Sequence, residues 1–140
     1  LGAERVSFPP TTPSIEHVEA YHGVDLALDP LVQNGGVTTM ESLWMGVQAV
    51  TLPGRQTSNR TSASVLTVLS LMDFIATSEA DYVAKAVAWV TTRRDELAAI
   101  RRGLRARMRA SPLNVGYVTA VEKAYRMLWQ EWCRSTGGLR

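Results

Sequence analysis

The sequence predicts an α/β fold: a small parallel sheet with flanking helices over about residues 1–77, then a helical half over about residues 78–140. Three observations carry this. Short apolar runs, Val24-Asp25-Leu26-Ala27-Leu28-Asp29 and Val47-Gln48-Ala49-Val50-Thr51-Leu52, alternate with segments of helical spacing, as strand–helix–strand units do. Turn formers follow each run, Asn34-Gly35-Gly36 after the first and Pro53-Gly54 after the second. Beyond Thr77 the apolar residues recur at helical spacing. A chain of 140 residues, 46% of them hydrophobic, makes one domain with enough apolar surface for a core.

The elements follow in order. Arg5-Val6-Ser7-Phe8 reads as a short strand stopped by Pro9-Pro10. Thr12-Pro13 supplies an N-cap and a proline at the first helical position, for a helix over about 14–21 that ends near Gly23. The run 24–29 is a strand apolar on both faces, as a buried parallel strand would be. After the glycine turn a helix spans about Thr38 to Met45 and closes at Gly46. A third strand covers 47–52, a helix Thr61 to Leu71, and a short fourth strand Phe74-Ile75-Ala76.

In the second half, Ser78-Glu79-Ala80-Asp81 matches a capping box. Tyr82, Val83, Ala86, Val87 and Val90 follow at helical spacing. Asp95-Glu96-Leu97 opens the next helix, which carries Arg101, Arg102, Arg105, Arg107 and Arg109 and breaks at Ser111-Pro112. A last helix runs from about Val118 to Arg134, with Val121, Tyr125, Leu128, Trp129 and Trp132 on one stripe.

Composition removes several function classes. A net charge of +2 is too small to imply nucleic acid. The arginines interleave with Leu104 and Met108 and lack an aromatic stacking platform, so they read as a solvated helix face. No apolar run approaches the roughly 20 residues of a membrane span, and no signal peptide opens the chain. The single Cys133 cannot form an internal disulfide, which points to a reducing, cytoplasmic setting; it reads as a structural thiol. The start at Leu1 suggests a fragment or a processed chain. With no His-x-x-x-His or cysteine cluster, no metal site is expected, and no Gly-x-Ser-x-Gly elbow marks a nucleophile.

Parallel sheets bind ligands beyond the carboxyl ends of their strands. Asp29 with the glycine turn, and Pro53-Gly54-Arg55, stand at two such ends. Asn34-Gly35-Gly36-Val37-Thr38-Thr39 aims bare N–H groups and the positive end of a helix at one point, where an anion such as a diphosphate fits. A Gly-Gly turn also serves as a plain strand-to-helix connection. Thr38 and Thr39 add hydroxyls, and Glu41, one turn in, can accept from ribose hydroxyls or merely favour the helix N-terminus. His17 alone reads as a surface or core histidine, and His22 as a residue interacting with a helix C-terminus.

Asp25-Leu26-Ala27-Leu28-Asp29-Pro30, Asn34-Gly35-Gly36, Thr38-Thr39, Leu43-Trp44-Met45-Gly46-Val47, Val50-Thr51-Leu52-Pro53-Gly54 and Arg60 resemble the SPINDLY-type O-linked N-acetylglucosamine transferases. The resemblance continues through Leu71, Ile75-Ala76, Tyr82-Val83, Ala86, Arg101, Ser111-Pro112-Leu113 and Ala124-Tyr125-Arg126-Met127-Leu128-Trp129. It implies two Rossmann-like lobes, usually preceded by tetratricopeptide helices. The implied reaction is transfer from UDP-N-acetylglucosamine to Ser or Thr of proteins, without a metal or other cofactor. The chain resembles the C-terminal part of the second, donor-binding lobe. The resemblance implies that His17 contacts the nucleotide-sugar, that the turn Gly35, Gly36, Val37, Thr38 and Thr39 grips the diphosphate, and that Glu41 holds the ribose. It places no catalytic base in this chain.

The chain departs from that family at several positions. Val37 stands where relatives often have Thr, which removes one hydroxyl hydrogen bond to phosphate, a loss of about 0.5–1.5 kcal/mol, or more to a charged partner. Ser14 replaces a lysine of some relatives, Val32-Gln33 a Pro-Tyr pair, and Gln48 a common proline. The first strands of the lobe, a lysine within them, and the lobe for acceptor binding and proton transfer are not in the sequence. The expected partners are a UDP-sugar, an acceptor protein in the intact enzyme, and a missing N-terminal lobe or a second copy. A non-catalytic, self-associating interaction module is the alternative.

Overall fold

The computed structural model describes residues 3–8, 13–31 and 33–136. It is mostly helical around a small parallel sheet. Strand β1 (Leu26–Leu28) pairs with β2 (Gln48–Val50), with Leu26 opposite Gln48 and Leu28 opposite Val50. The helices are α1 (Ser14–Glu19), α2 (Val37–Trp44), α3 (Thr61–Val68), α4 (Glu79–Val90), α5 (Arg94–Ala110) and α6 (Val115–Ser135). The helix α2 is the crossover that a parallel pair requires.

The sheet is smaller than the sequence predicts, for local reasons. Ala3–Arg5 forms a 3-10 turn and no strand follows at Arg5–Phe8, where among the described residues nothing covers Val6 and Phe8. Pro9, Pro10 and Thr12 lie outside the described residues. The fourth strand is reduced to one bridge, Thr51 with Ile75. A 3-10 turn at Met72–Phe74 occupies its first residue. The first helix stops at Glu19, and the chain tightens into a 3-10 turn over Ala20–Gly23. Strand β1 is not buried on both faces, since Leu28 is 61% exposed. Among the described residues it has a strand neighbour on one side only. The run around β2 has β1 on one flank and the Ile75 bridge on the other, and Gln48, Ala49 and Val50 are all buried.

The core lies between the sheet and the helices. Leu43 of α2, Val50 of β2, Leu66 of α3, Phe74, Trp89 of α4, and Leu97, Leu104 and Met108 of α5 form one cluster. Trp89 stacks on Phe74 with ring centroids 4.2 Å apart and planes within 8°. The Arg93 guanidinium covers the indole at 3.7 Å. It also bonds Asp73 at 3.0 Å and Glu96 at 2.6 Å.

Helix ends are defined by identifiable bonds. At the end of α2, Val47 N–H donates to Ser42 and Gly46 N–H to Leu43, with Gly46 at φ +87°. This is the left-handed glycine cap that the sequence predicts. The end of α3 repeats the pattern, Leu71 to Leu66 and Ser70 to Thr67, but Ser70 holds the left-handed position at φ 54°. At the start of α4, the Ser78 hydroxyl accepts from Asp81 N–H as expected. The Asp81 carboxylate reaches back one residue further than a capping box requires, accepting from Thr77 N–H at 2.9 Å.

The arginines of α5 are not simply a solvated face. Arg101 donates to the carbonyls of Val24 and Tyr21, Arg105 to that of Trp44, and Arg107 to that of Leu69. Each carbonyl lies at or beside the end of a helical segment, where intrahelical partners run out. Helix α6 contrasts with the rest. Tyr125 is 70% exposed, and Leu128, Trp129 and Trp132 are also exposed, so its apolar stripe faces solvent.

Candidate functional site

The carboxyl ends of β1 and β2, the turn after β1 and the start of α3 meet at one edge of the sheet. The turn delivers the chain into α2 at Gly36, its N-cap, with φ −125° and ψ −85°. No side chain caps this end. The first intrahelical bond runs from Met40 N–H to Gly36. The N–H groups of Val37, Thr38 and Thr39 therefore have no intrahelical acceptor, and the positive end of α2 is open.

Several side chains hold the turn. Asp29 is buried. Its Oδ1 accepts from Gly35 N–H at 2.7 Å and its Oδ2 from the Thr51 hydroxyl at 2.5 Å. Tyr82 of α4 donates to the Asp29 carbonyl at 2.9 Å. Burial, and then the nearby Asp29 charge, push the Tyr82 phenol above its ordinary range, which keeps it a donor. Ser62 of α3 donates to the Gly35 carbonyl at 3.0 Å. With its one proton so used, Ser62 accepts from the Thr39 hydroxyl, 2.9 Å away. A side chain at position 35 has no room: a Cβ there would lie 2.4 Å from the Thr39 hydroxyl oxygen.

The predicted site residues fall into two groups. Gly35, Gly36, Val37, Thr38 and Thr39 form the turn and the first residues of α2, as their sequence order dictates. Val37 and Thr38 are exposed, whereas Thr39 is buried with its hydroxyl turned inward to Ser62. His17 of α1 and Glu41 of α2 come together across the gap between their helices, with Nε2 3.8 Å from the carboxylate. Tyr21 joins them: its ring meets His17 edge-on at 5.7 Å, and its hydroxyl lies 3.4 Å from the Thr38 carbonyl. Burial, then the Glu41 charge, raise the Tyr21 phenol above its ordinary range.

A cleft of about 170 Å³ opens here, lined by Tyr21, Leu28, Asp29, Thr38, Thr39 and Ser42 among others. Asn34 closes the turn, donating to the Pro30 carbonyl at 3.1 Å while its buried Oδ1 has no protein partner among the described residues. The second loop, Pro53-Gly54-Arg55, lies past the end of β2, and Arg60 at the cap of α3 donates to the Gly54 carbonyl at 2.8 Å. Tyr21, Thr51, Ser62 and Tyr82 escape a reading of the sequence. The available signal is an acid at the end of a strand directly before a glycine turn, which needs hydroxyl and N–H donors around it. Among the described residues, no group of three or more His, Cys, Asp or Glu could hold a metal ion.

Comparison with known proteins locates this arrangement. The profile of glycosyl transferase family 41 matches residues 1–120. The chain is 34% identical over 121 residues to the probable UDP-N-acetylglucosamine–peptide N-acetylglucosaminyltransferase SPINDLY of Arabidopsis thaliana, covering 85% of this chain and 13% of that protein. It is 37% identical over 123 residues to the SPINDLY protein of Oryza sativa subsp. japonica, covering 84% and 13% respectively. Among solved structures, a point mutant of the Thermobaculum terrenum O-GlcNAc transferase matches with a TM-score of 0.83 at 29% identity, over 95% of this chain and 26% of that one. The chain thus spans about an eighth of the length of these curated relatives, 13%. With its fold and most of its length matched in this way, the chain belongs to glycosyl transferase family 41.

Proposed function

We propose that the chain is the C-terminal nucleotide-sugar-binding part of a protein O-linked N-acetylglucosamine transferase, inactive alone. The donor is UDP-N-acetylglucosamine and the acceptor a Ser or Thr of a protein. The observation that carries this is the uncapped start of α2 at the carboxyl edge of a parallel sheet, flanked by Glu41 and His17. In this reading the N–H groups of Gly36, Val37 and Thr38 and the Thr38 hydroxyl hold the diphosphate. Gly35 and Thr39 shape the turn that presents them. Glu41 accepts from the ribose hydroxyls, and His17 contacts the nucleotide-sugar.

The chemistry follows from that placement. An acceptor hydroxyl attacks the anomeric carbon with inversion, and the bond from that carbon to the diphosphate breaks. The electron pair leaves on UDP, where the open N–H groups and the helix dipole stabilise the growing charge. The acceptor proton needs a base from outside the residues matched here. No metal or other cofactor enters the reaction. The cleft of about 170 Å³ is smaller than the roughly 300–1,000 Å³ usual for ligand sites, which supports a half-site completed by another lobe. On this reading the chain is part of a Rossmann-like second lobe in a two-lobed, cytoplasmic enzyme. About residues 1–77 are its nucleotide-sugar portion and about 78–140 its helical portion. No helix of the described residues is long and apolar enough to cross a membrane.

Calorimetric titration of UDP into the wild type, Thr38→Ala and Glu41→Ala tests the proposal. Binding by the wild type that weakens in both variants is expected. No binding up to millimolar UDP by a folded sample refutes it.

A second reading rests on α6. Val118, Val121, Tyr125, Leu128 and Trp132 recur at alternating spacings of three and four along this helix, and four of the five are exposed. That is the seam of a helix paired with another helix. It suits a non-catalytic module that associates with itself through α6. Light scattering separates the readings: a dimer that binds no UDP favours the module, and a monomer that binds UDP removes it.

A further inference from the structure

The donor-site reading gives the buried Asp29 no contact with the substrate, yet much of the turn is organised around it. Gly35 is the most freely rotating residue type at the point where direction matters most. Two side chains remove that freedom. Asp29 Oδ1 takes the Gly35 N–H at 2.7 Å, which fixes the peptide plane before Gly35. Ser62 takes the Gly35 carbonyl at 3.0 Å, which fixes the plane after it. A trans peptide is planar, so holding the Gly35 carbonyl toward Ser62 turns the Gly36 N–H the opposite way. Asp29 is itself held: Thr51 binds its second carboxylate oxygen, Tyr82 its carbonyl, and its N–H extends the ladder to Val50 at 3.0 Å.

We propose that Asp29 is a positioning residue for the donor site: it locks the Gly35 peptide so that the N–H groups opening α2 converge on the diphosphate. The inference rests on the UDP-donor reading. Asparagine can replace the acid in this role, its Oδ1 accepting from Gly35 and its Nδ2 donating to the Thr51 oxygen. Alanine leaves both donors without a partner.

The test uses the full chain labelled with ¹⁵N-glycine, as wild type, Asp29→Asn and Asp29→Ala. Two signals are read, the Gly35 amide resonance and UDP affinity. In Asp29→Ala the Gly35 amide is expected to move upfield and UDP binding to weaken by about 10-fold, the worth of one hydrogen bond to a charged group. Asp29→Asn should bind within about 3-fold of the wild type, less than a neutral bond is worth. A folded Asp29→Ala protein with an unmoved Gly35 amide or undiminished UDP affinity overturns the proposal, as does an Asp29→Asn protein as weak as Asp29→Ala. If Asp29→Ala does not fold, Thr51→Val frees the second oxygen instead. It should also shift the Gly35 amide, and an unmoved resonance in a folded Thr51→Val protein overturns the proposal. If the wild type binds no UDP, the donor reading fails separately. A Gly35 amide that moves in Asp29→Ala then still upholds the lock, and one that stays refutes it.

Discussion

Replacing Gly46 with alanine should destabilise the chain by about 2–3 kcal/mol. Gly46 ends α2 at φ +87°, where an L side chain costs about 1–2 kcal/mol. Reduced freedom of the unfolded chain returns about 0.4–1 kcal/mol of that. The new Cβ would also sit 3.1 Å from Arg101 Cγ and 3.2 Å from the Arg101 carbonyl oxygen. The arginine side chain can yield, but the carbonyl belongs to α5, and forcing two packed helices apart adds about 1–3 kcal/mol. For a chain of this size each kcal/mol lowers Tm by about 3–5 °C, so a drop of about 10 °C is expected in a calorimetric melt. Ser70→Gly is the matched control with the opposite sign. Ser70 occupies the same left-handed cap at φ 54°, and relief of its strain outweighs the added freedom of the unfolded chain. A rise of about 2–4 °C is expected. A Gly46→Ala protein melting with the wild type, or a Ser70→Gly protein melting below it, would refute the reasoning.

Other outcomes follow from the packing and the turn. Phe74→Ala removes the ring that stacks on Trp89 at 4.2 Å; urea unfolding should show a loss of about 3–5 kcal/mol. Gly35→Ala places a methyl 2.4 Å from the Thr39 hydroxyl oxygen and should abolish UDP binding in a chain whose circular dichroism remains helical. Asp81 is held below its ordinary carboxylate value of 3.8, chiefly by the Thr77 N–H. A depressed folded pKa means stability that is present above 3.8 and lost as pH falls through the lower folded value. The Tm gap between wild type and Asp81→Asn should therefore be open at neutral pH and close in acid; a gap that persists in strong acid would contradict this.

The parts of the fold legible in the sequence are those decided within a few residues. The run around β2 is mostly apolar and buried from Val47 to Thr51, and Gly46 announces its own cap. Ser78 is read correctly as the cap of α4, since the bond it accepts comes from three residues on. Parts decided at a distance are not legible. Val6 and Phe8 alternate like a strand, but no neighbour among the described residues pairs with them or covers them. Phe74-Ile75-Ala76 has strand composition, yet Phe74 is taken by a turn that sets its ring against Trp89. The same division runs through the site. The open start of α2 lies in one stretch of chain and is visible there. Its supports come from Ser62, 27 residues from Gly35, and Tyr82, 53 residues from Asp29, and hydroxyls carry no local signal of so distant a partner.

The arginines of α5 have a consequence for how the chain comes apart. Arg101, Arg105 and Arg107 close the segments ending near Val24, Trp44 and Leu69. Those three stops lie far apart in sequence but share one helix as their lock. When α5 opens, all three segments lose their terminating donors together, so its opening loosens them as a group. The amides that close these three stops, such as Val24, Gly46 and Ser70, should share an opening free energy set by α5 in hydrogen exchange.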